Sequence, residues 1–461
     1  MATAHKWTEA SQSLNKMKIE EEDAGAYSHM PPVLDPTEAE RFVEKLQKLQ
    51  VEEVGSAKWF EQHRMIEKLN LQAHHNAMTN SDEYVLEAFL TFDKLHTLIH
   101  NLIVIETWKE SVYPLILDAV AGRNNMRVYF ILYHEATLVN LLEVFLYHKH
   151  VCQAGGEMMI ELVDYCARKL TRISSGYDFR QVDPHASSGA AGPLRGAGKE
   201  YSSEAVKAIN AEIEARTPKE ELAQYLTEIE FKVCISAATL IRYVCEHAEA
   251  LPLSVVTRVT DTHDMLILVV PLIENPPWSR RLKTGKWQKL IDNKWTDVLP
   301  IDLLKLTKLE GQVWLALYHL LAKQVFRERY HLNTFRKAQL LRARKYLNDT
   351  LLDQLPVLAD IQRYMDELAL TEVPEPHDAR QSVFLFQQVA VTRETLVRGK
   401  NWPAVAAEQL RAVFTMTDRD DRDLRLLADL YSDDLAGNVL DPEGYLEKIS
   451  KEMEGIDLKS N

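Results

Sequence analysis

Apolar residues return at three-to-four spacing in one segment after another of this 461-residue chain, and that recurrence commits most of it to packed helices. Phe42, Val43, Leu46 and Leu49 follow a Pro36-Thr37 start, and a second pattern runs from Trp59 through Leu71. Leu86 to Trp108 reads as one helix with a wide apolar face built from Leu86, Phe89, Leu90, Leu95, Leu98, Ile99, Leu102 and Ile105. Tyr129 to His150 is apolar on nearly all sides, which predicts burial between neighbouring helices, and Met158 to Ile173 supplies the next helix. Thr217-Pro218-Lys219-Glu220 has the chemistry of a helix start: a hydroxyl to cap, a proline at the first position and a glutamate to reach back. Leu222, Leu226, Ile229, Val233, Leu240, Ile241 and Val244 then keep one face apolar.

Thr307-Lys308-Leu309-Glu310 repeats the capping pattern ahead of Val313, Trp314, Leu317, Leu320 and Leu321. Further helices are predicted over Phe335–Tyr346, Thr350–Leu370 (with Pro356 near its start or bending it), Val383–Val397 and Pro403–Phe414. Strand is expected in one place, 286–298, where Trp287 and Trp295 flank an Asp292-Asn293 turn pair. The expected fold is all-α, an armadillo- or HEAT-like α-solenoid with one short hairpin, although no crisp repeat recurs. The pattern divides the chain into a disordered N-terminal extension (1–30), an N-terminal helical region (31–174) and a flexible Gly-rich linker (175–216). A central helical region (217–371), C-terminal helices (372–440) and a frayed tail (441–461) follow.

Charge and cysteine content narrow the function classes. With 54 Lys and Arg against 68 Asp and Glu, the formal charge of −14 argues against a nucleic-acid backbone as partner. Four cysteines (Cys152, Cys166, Cys234, Cys245) are too few for a disulfide-stapled secreted scaffold and read as small core residues in a reducing cytoplasm. The longest purely aliphatic run, Leu266 to Ile273, contains Pro271 and is far shorter than the roughly 20 apolar residues of a membrane span. The N-terminus is polar, with Glu20 to Asp23 acidic, unlike a signal peptide or mitochondrial presequence, so the expected location is the cytosol.

Sites of chemistry are sought and mostly fail on spacing. Gly196-Ala197-Gly198-Lys199 resembles the end of a P-loop, but Pro193 stands where the first Gly is needed and Glu200 replaces the Ser or Thr. His134-Glu135 begins like a zinc-protease helix, yet Leu138 occupies the second ligand position. Asp418, Asp420, Asp421 and Asp423 suggest a calcium loop, but Arg422 takes a ligand position and Asp423 the place of the turn glycine. His96 and His100 lie one helical turn apart, a spacing that can hold a metal, without a third ligand at a helical offset. No Gly-x-Ser-x-Gly elbow occurs. The expectation is therefore a non-enzyme without a cofactor. The alternative is a metal-binding helical protein in which His96, His100, His134 and Glu135 converge.

Surface remains. Asn275-Pro276-Pro277-Trp278-Ser279-Arg280-Arg281 joins two helical blocks, and Trp278, Arg280 and Arg281 are the candidate partner-binding residues. The competing reading is a stiff connector whose Trp tucks onto the core.

Five stretches of sequence are distinctive as they stand: Ile131–Cys152, Leu162–Thr171, Asn275–Arg281, Lys308–Leu321 and Leu347–Leu358. Together, in this order, they resemble the zinc-finger MYND-domain-containing protein 10 (BLU) family, over about Glu67 to Thr371. The resemblance implies a cytoplasmic assembly factor and co-chaperone scaffold for the outer and inner dynein arms of motile cilia. Its implied partners are axonemal dynein heavy and intermediate chains, a leucine-rich-repeat dynein assembly factor, heat-shock chaperones and an immunophilin co-chaperone. Its implied locations are the cytoplasm, dynein-assembly foci and centriolar satellites. The family ends in a MYND finger holding two zinc ions on seven cysteines and a histidine, whereas no cysteine here follows Cys245 and the sequence closes on Leu446–Asn461. No zinc ligand carries over, so a lineage without the finger or an alternative or incomplete gene product is expected. A generic armadillo-like adaptor with other partners shares the architecture.

Overall fold

The computed structural model describes residues 33–121, 126–175, 217–282, 285–291, 294–372 and 390–414. The Gly-rich segment, the P-loop-like run, residues 383–389 and the Asp418–Asp423 run lie outside these. The fold is mostly α-helical, as the periodicity predicts, and its described residues divide into two compact units, one holding those up to Phe145 with those of 392–414, the other holding those of 146–391.

The first unit begins with α1 (Pro36–Lys45), α2 (Ala57–Thr79), α3 (Tyr84–Thr91), α4 (Leu95–Ser111), α5 (Tyr113–Ala121) and α6 (Met126–Leu146). Each start has a local cause. Asp35 caps α1 by accepting from the Glu38 amide at 2.8 Å, with Pro36 at the first position, and Ser56 caps α2 through the Trp59 amide at 3.2 Å. The stretch predicted as one helix from Leu86 to Trp108 is two. Asp93 takes a left-handed φ of +49°, and α3 and α4 meet at 93°. Both halves keep the helical period, so periodicity alone could not show the break.

Between α1 and α2 the backbone runs extended, and side chains satisfy it. Gln62 accepts from the Gln47 amide (2.8 Å), Asn101 accepts from the Leu49 amide (3.0 Å), and Lys94 donates to the Leu46 carbonyl (2.8 Å). Gly55 then turns into α2 at φ +83°, where a Cβ would stand 2.8 Å from Val413 Cγ1 and 3.0 Å from Ile131 Cδ1. Helix α6 has the length and mean hydropathy (1.3) of a membrane span, but it is a core helix. Its fully buried Glu135 receives Lys109 Nζ at 2.6 Å, a pairing that apolar lipid would not supply.

The second unit contains α7 (Met159–Ser174), α8 (Pro218–Glu246) and α9 (Met265–Glu274), then strands β1 (Ser279–Arg281), β2 (Trp287–Ile291) and β3 (Lys294–Val298). It continues with α10 (Lys308–Ala322), α11 (Thr334–Arg344) and α12 (Ala359–Leu370). The two capping boxes form as predicted, Thr217 with Glu220 opening α8 and Thr307 with Glu310 opening α10. The expected hairpin is present, with Trp287 opposite Val298 and Ile291 opposite Lys294. A third strand, β1, was not foreseen, because Pro276-Pro277 reads as a connector and the pairing partner of β1 lies beyond a turn. The predicted Thr350–Leu370 helix divides at Pro356 into Asp349–Gln354, a single 3-10 turn and α12. All four cysteines are free and buried, and burial pushes the Cys152 thiol up to about 12.

Helices α13 (Thr392–Val397) and α14 (Trp402–Ala412) return to the first unit, against α4 and α5 respectively. In a solenoid each repeat touches only its sequence neighbours, so this return across roughly 280 residues is a closure that a pure nearest-neighbour array lacks. Gln409 anchors it by accepting from Trp108 Nε1 at 2.8 Å and donating to the carbonyls of Val51 at 2.9 Å and Glu52 at 3.1 Å. Replacing Gln409→Ala leaves the buried Trp108 indole donor unpaired and takes a donor from the carbonyls of Val51 and Glu52, the first of which keeps the Val54 amide. The expected loss is about 2–4 kcal/mol of stability, read as a lowered denaturant midpoint at unchanged slope.

Candidate functional site

The segment Asn275–Arg281 is where sequence places partner-binding residues, and the structure buries two of the three. Trp278 is only 1% exposed. The carbonyl of Trp278 accepts from the Leu290 amide at 2.8 Å, and the indole packs inward. Arg280 is buried as well. Its Nε and one terminal nitrogen donate to Gln288 Oε1 at 2.9 and 2.7 Å, and its guanidinium lies 4.0 Å from the ring centre of Trp295. Strand alternation is the reason: Arg280 sits directly opposite Gln288 on the covered face of the sheet, which leaves Arg281 exposed on the other. Gln288 passes the link on to Asp297 at 2.7 Å. Partial burial would raise the Asp297 carboxyl, but hydrogen bonds from Gln288 and Lys286 and the charges of Lys286 and Arg280 outweigh it, and its pKa is lowered.

Trp278 also forms part of a half-open groove of about 140 Å³. Leu272 and Ile273 of α9, Val313 and Trp314 of α10, and the loop residues Leu303 and Leu304 make its apolar walls. The indole Nε1 of Trp278 has no hydrogen-bond partner, an arrangement that costs about 1–3 kcal/mol for a buried donor. Lys289 enters the groove with its charge already met, by Glu310 Oε2 at 2.9 Å and the Lys305 carbonyl at 2.8 Å. Beside it, Leu299 (66% exposed), Ile301 (83%) and Leu304 (57%) bring apolar surface to solvent along one short loop.

Charge sets this region apart. Residues 272–351 hold 16 Lys and Arg against 7 Asp and Glu, in a chain that is acidic as a whole. That asymmetry is countable in the sequence and is the signal that a whole-chain net charge hides.

The four residues of the metal alternative do not converge. His100 Nε2 bonds the Leu49 carbonyl at 2.9 Å, His96 faces Asp93 at 3.8 Å, and Glu135 turns to Lys109. His134 meets His63 instead, Nδ1 to Nδ1 at 2.8 Å, with Trp59 stacked on His63 at a ring separation of 5.0 Å. Among the described residues no group of three His, Cys, Asp or Glu is placed to hold a metal ion. One imidazole of the pair donates and the other accepts, and the burial of both favours their neutral forms. Glu67 Oε1, 3.8 Å from His63 Nε2, favours the proton of His63 on that nitrogen, leaving His134 to donate across the pair.

A curated relative from Drosophila melanogaster, the zinc finger MYND domain-containing protein 10 homolog, is 30% identical over 368 residues. The match covers 79% of this chain and 74% of the relative. The chain belongs to the zinc finger MYND domain-containing protein 10 family. No model of a protein family matches it, and no solved structure does. The family stands as the quoted stretches suggest, and the groove just described takes lining residues from three of them, Asn275–Arg281, Lys308–Leu321 and Leu347–Leu358.

The buried imidazoles give this family member a pH signature. Burial drives the His134 pKa down to about 3, against a smaller upward pull from Glu135, and burial with the neighbouring His134 drives His63 down too. The unfolded chain therefore takes up protons below about pH 6.5 that the folded one refuses, so stability is full above that pH and falls as pH drops towards 3. His134→Asn should reduce the pH dependence of the unfolding free energy between pH 6.5 and 5 by about one proton. Urea melts at both pH values check it, and an unchanged slope in the variant contradicts the pairing.

Proposed function

We propose that this protein is an assembly factor for axonemal dynein arms, a scaffold that holds dynein chains while chaperones fold and join them. The observation that carries the reading is the 30% identity over 79% of the chain to a zinc finger MYND domain-containing protein 10 homolog. Its partners on this reading are axonemal dynein heavy and intermediate chains, a leucine-rich-repeat assembly factor, heat-shock chaperones and an immunophilin. The work takes place in the cytoplasm, in dynein-assembly foci and at centriolar satellites, and serves outer and inner arms of motile cilia. No catalytic step and no resident cofactor belong to the proposal. What supports a scaffold over an enzyme is a helical body in which the buried pairs Lys109–Glu135 and His63–His134 meet each other and do not line the groove.

No cysteine follows Cys245 in these residues, and the contacts proposed here are those of the helical body. A tagged pull-down from cells building motile cilia, read by quantitative mass spectrometry, is the test. Enrichment of axonemal dynein chains together with chaperones is the expected result. Strong capture of other proteins without dyneins would overturn the reading in favour of an adaptor with different partners.

A further inference from the structure

We propose that the outer edge of β3 pairs with the same edge of a second copy of this chain, antiparallel about a two-fold axis at Thr296, joining two three-stranded sheets into one. The proposal goes beyond the scaffold reading and does not depend on it.

The backbone shows which groups are available. The Leu290 amide donates to the Trp278 carbonyl at 2.8 Å, so Gln288 and Leu290 turn their backbone groups towards β1. Hydrogen-bonding direction alternates along a strand, so Trp287, Lys289 and Ile291 turn theirs towards β3, where they meet Val298, Thr296 and Lys294. The residues in between, Trp295 and Asp297, therefore aim their N–H and C=O groups away from the sheet. β3 is the last strand in the order β1-β2-β3, and among the described residues nothing bonds these outward groups. Lys294, Thr296 and Asp297 are exposed, so the edge is open to solvent. It is also held in place from the covered side, where the Trp295 ring stacks on Phe231 at 6.2 Å, so little ordering is needed before a strand adds.

Self-complementarity selects the occupant. A partner for this row must itself be a strand with unpaired backbone groups, and each copy of the chain carries one. Only alignments that set outward residues opposite outward residues can bond. Placing Trp295 opposite Asp297 of the second copy pairs every outward group on both chains. It also sets an indole donor opposite a carboxylate, and Thr296 opposite itself, a favourable cross-strand pair. Slipping by two residues one way puts Asp297 against its own copy and calls on the Leu299 carbonyl, which already accepts from the Asp302 amide at 2.9 Å. Slipping the other way carries Asp297 past Lys294, where the second copy's strand begins. A lysine on an edge ordinarily discourages pairing, but Lys294 stands at the strand end and faces Val298 of the second copy, not another cation. Leu299 and Ile301, both exposed, follow β3 and bring apolar surface beside the seam.

Sedimentation velocity on the purified full chain tests the pairing. One short strand from each copy makes a small interface, so the expected dissociation constant is on the order of 10–100 µM. Thr296→Glu separates the two states. Within one chain the new carboxylate lies opposite Lys289, whereas across the axis it meets its own copy, and the dissociation constant should rise at least tenfold. Thr296→Cys gives a second readout. At the axis the two Cα atoms of a non-hydrogen-bonded pair lie about 4.5 Å apart, within disulfide reach. The four native cysteines are buried, so the introduced thiol is the accessible one. Mild oxidation with diamide is expected to yield at least tenfold more covalent dimer than Leu370→Cys, an exposed position on α12.

A chain that stays monomeric up to about 300 µM, above the expected constant, overturns the proposal. So does a dimer that Thr296→Glu leaves unchanged, or a Thr296→Cys chain that cross-links no better than Leu370→Cys. If Thr296→Glu fails to fold, the cysteine comparison decides alone.

Discussion

One carboxylate oxygen holds the second unit's sheet to its helices. Glu310 Oε2 accepts from the Thr307 amide at 2.8 Å, closing the capping box of α10, and from Lys289 Nζ on β2 at 2.9 Å. The first contact fixes where α10 begins, and the second fixes where the sheet lies against it. Both partners of the Lys289–Glu310 pair are largely buried, so the alternative to pairing is an uncompensated charge, costing about 3–5 kcal/mol. The ammonium's remaining bond, to the Lys305 carbonyl, draws in the loop that carries Leu303 and Leu304. The floor, one wall and the rim of the groove therefore share a single electrostatic anchor.

The first unit solves a different problem by related means. Its helices are apolar on several faces, which gives burial but little to specify register. Specificity comes from polar side chains that can be satisfied in one arrangement only. Lys109 reaches Glu135 between α4 and α6, His63 reaches His134 between α2 and α6, and Thr137 donates to Glu67 across the same interface. Sliding one helix by a turn would strand every one of these groups in an apolar interior. Such networks add little net stability, but they penalise the wrong packing heavily. The same logic explains why His100 serves a loop carbonyl and not a metal: the extended 46–50 backbone needs donors and acceptors more than its helix needs a ligand site.

What was legible in the sequence were features written by near neighbours. Thr217 with Glu220, Thr307 with Glu310 and the 287–298 hairpin are fixed within a few residues, and each appears where the pattern placed it. The break at Asp93 was hidden because Leu86–Leu90 and Leu95–Ile105 each satisfy a helical period, and one left-handed residue leaves no mark on periodicity. The burial of Trp278 and Arg280 was not legible for a longer-range reason. Their burial depends on β2, and on Trp295 stacked against Phe231 of α8 some 60 residues earlier. A Pro-Pro-Trp-x-Arg-Arg segment is equally good as a presented loop or as an edge strand, and the choice belongs to its partners.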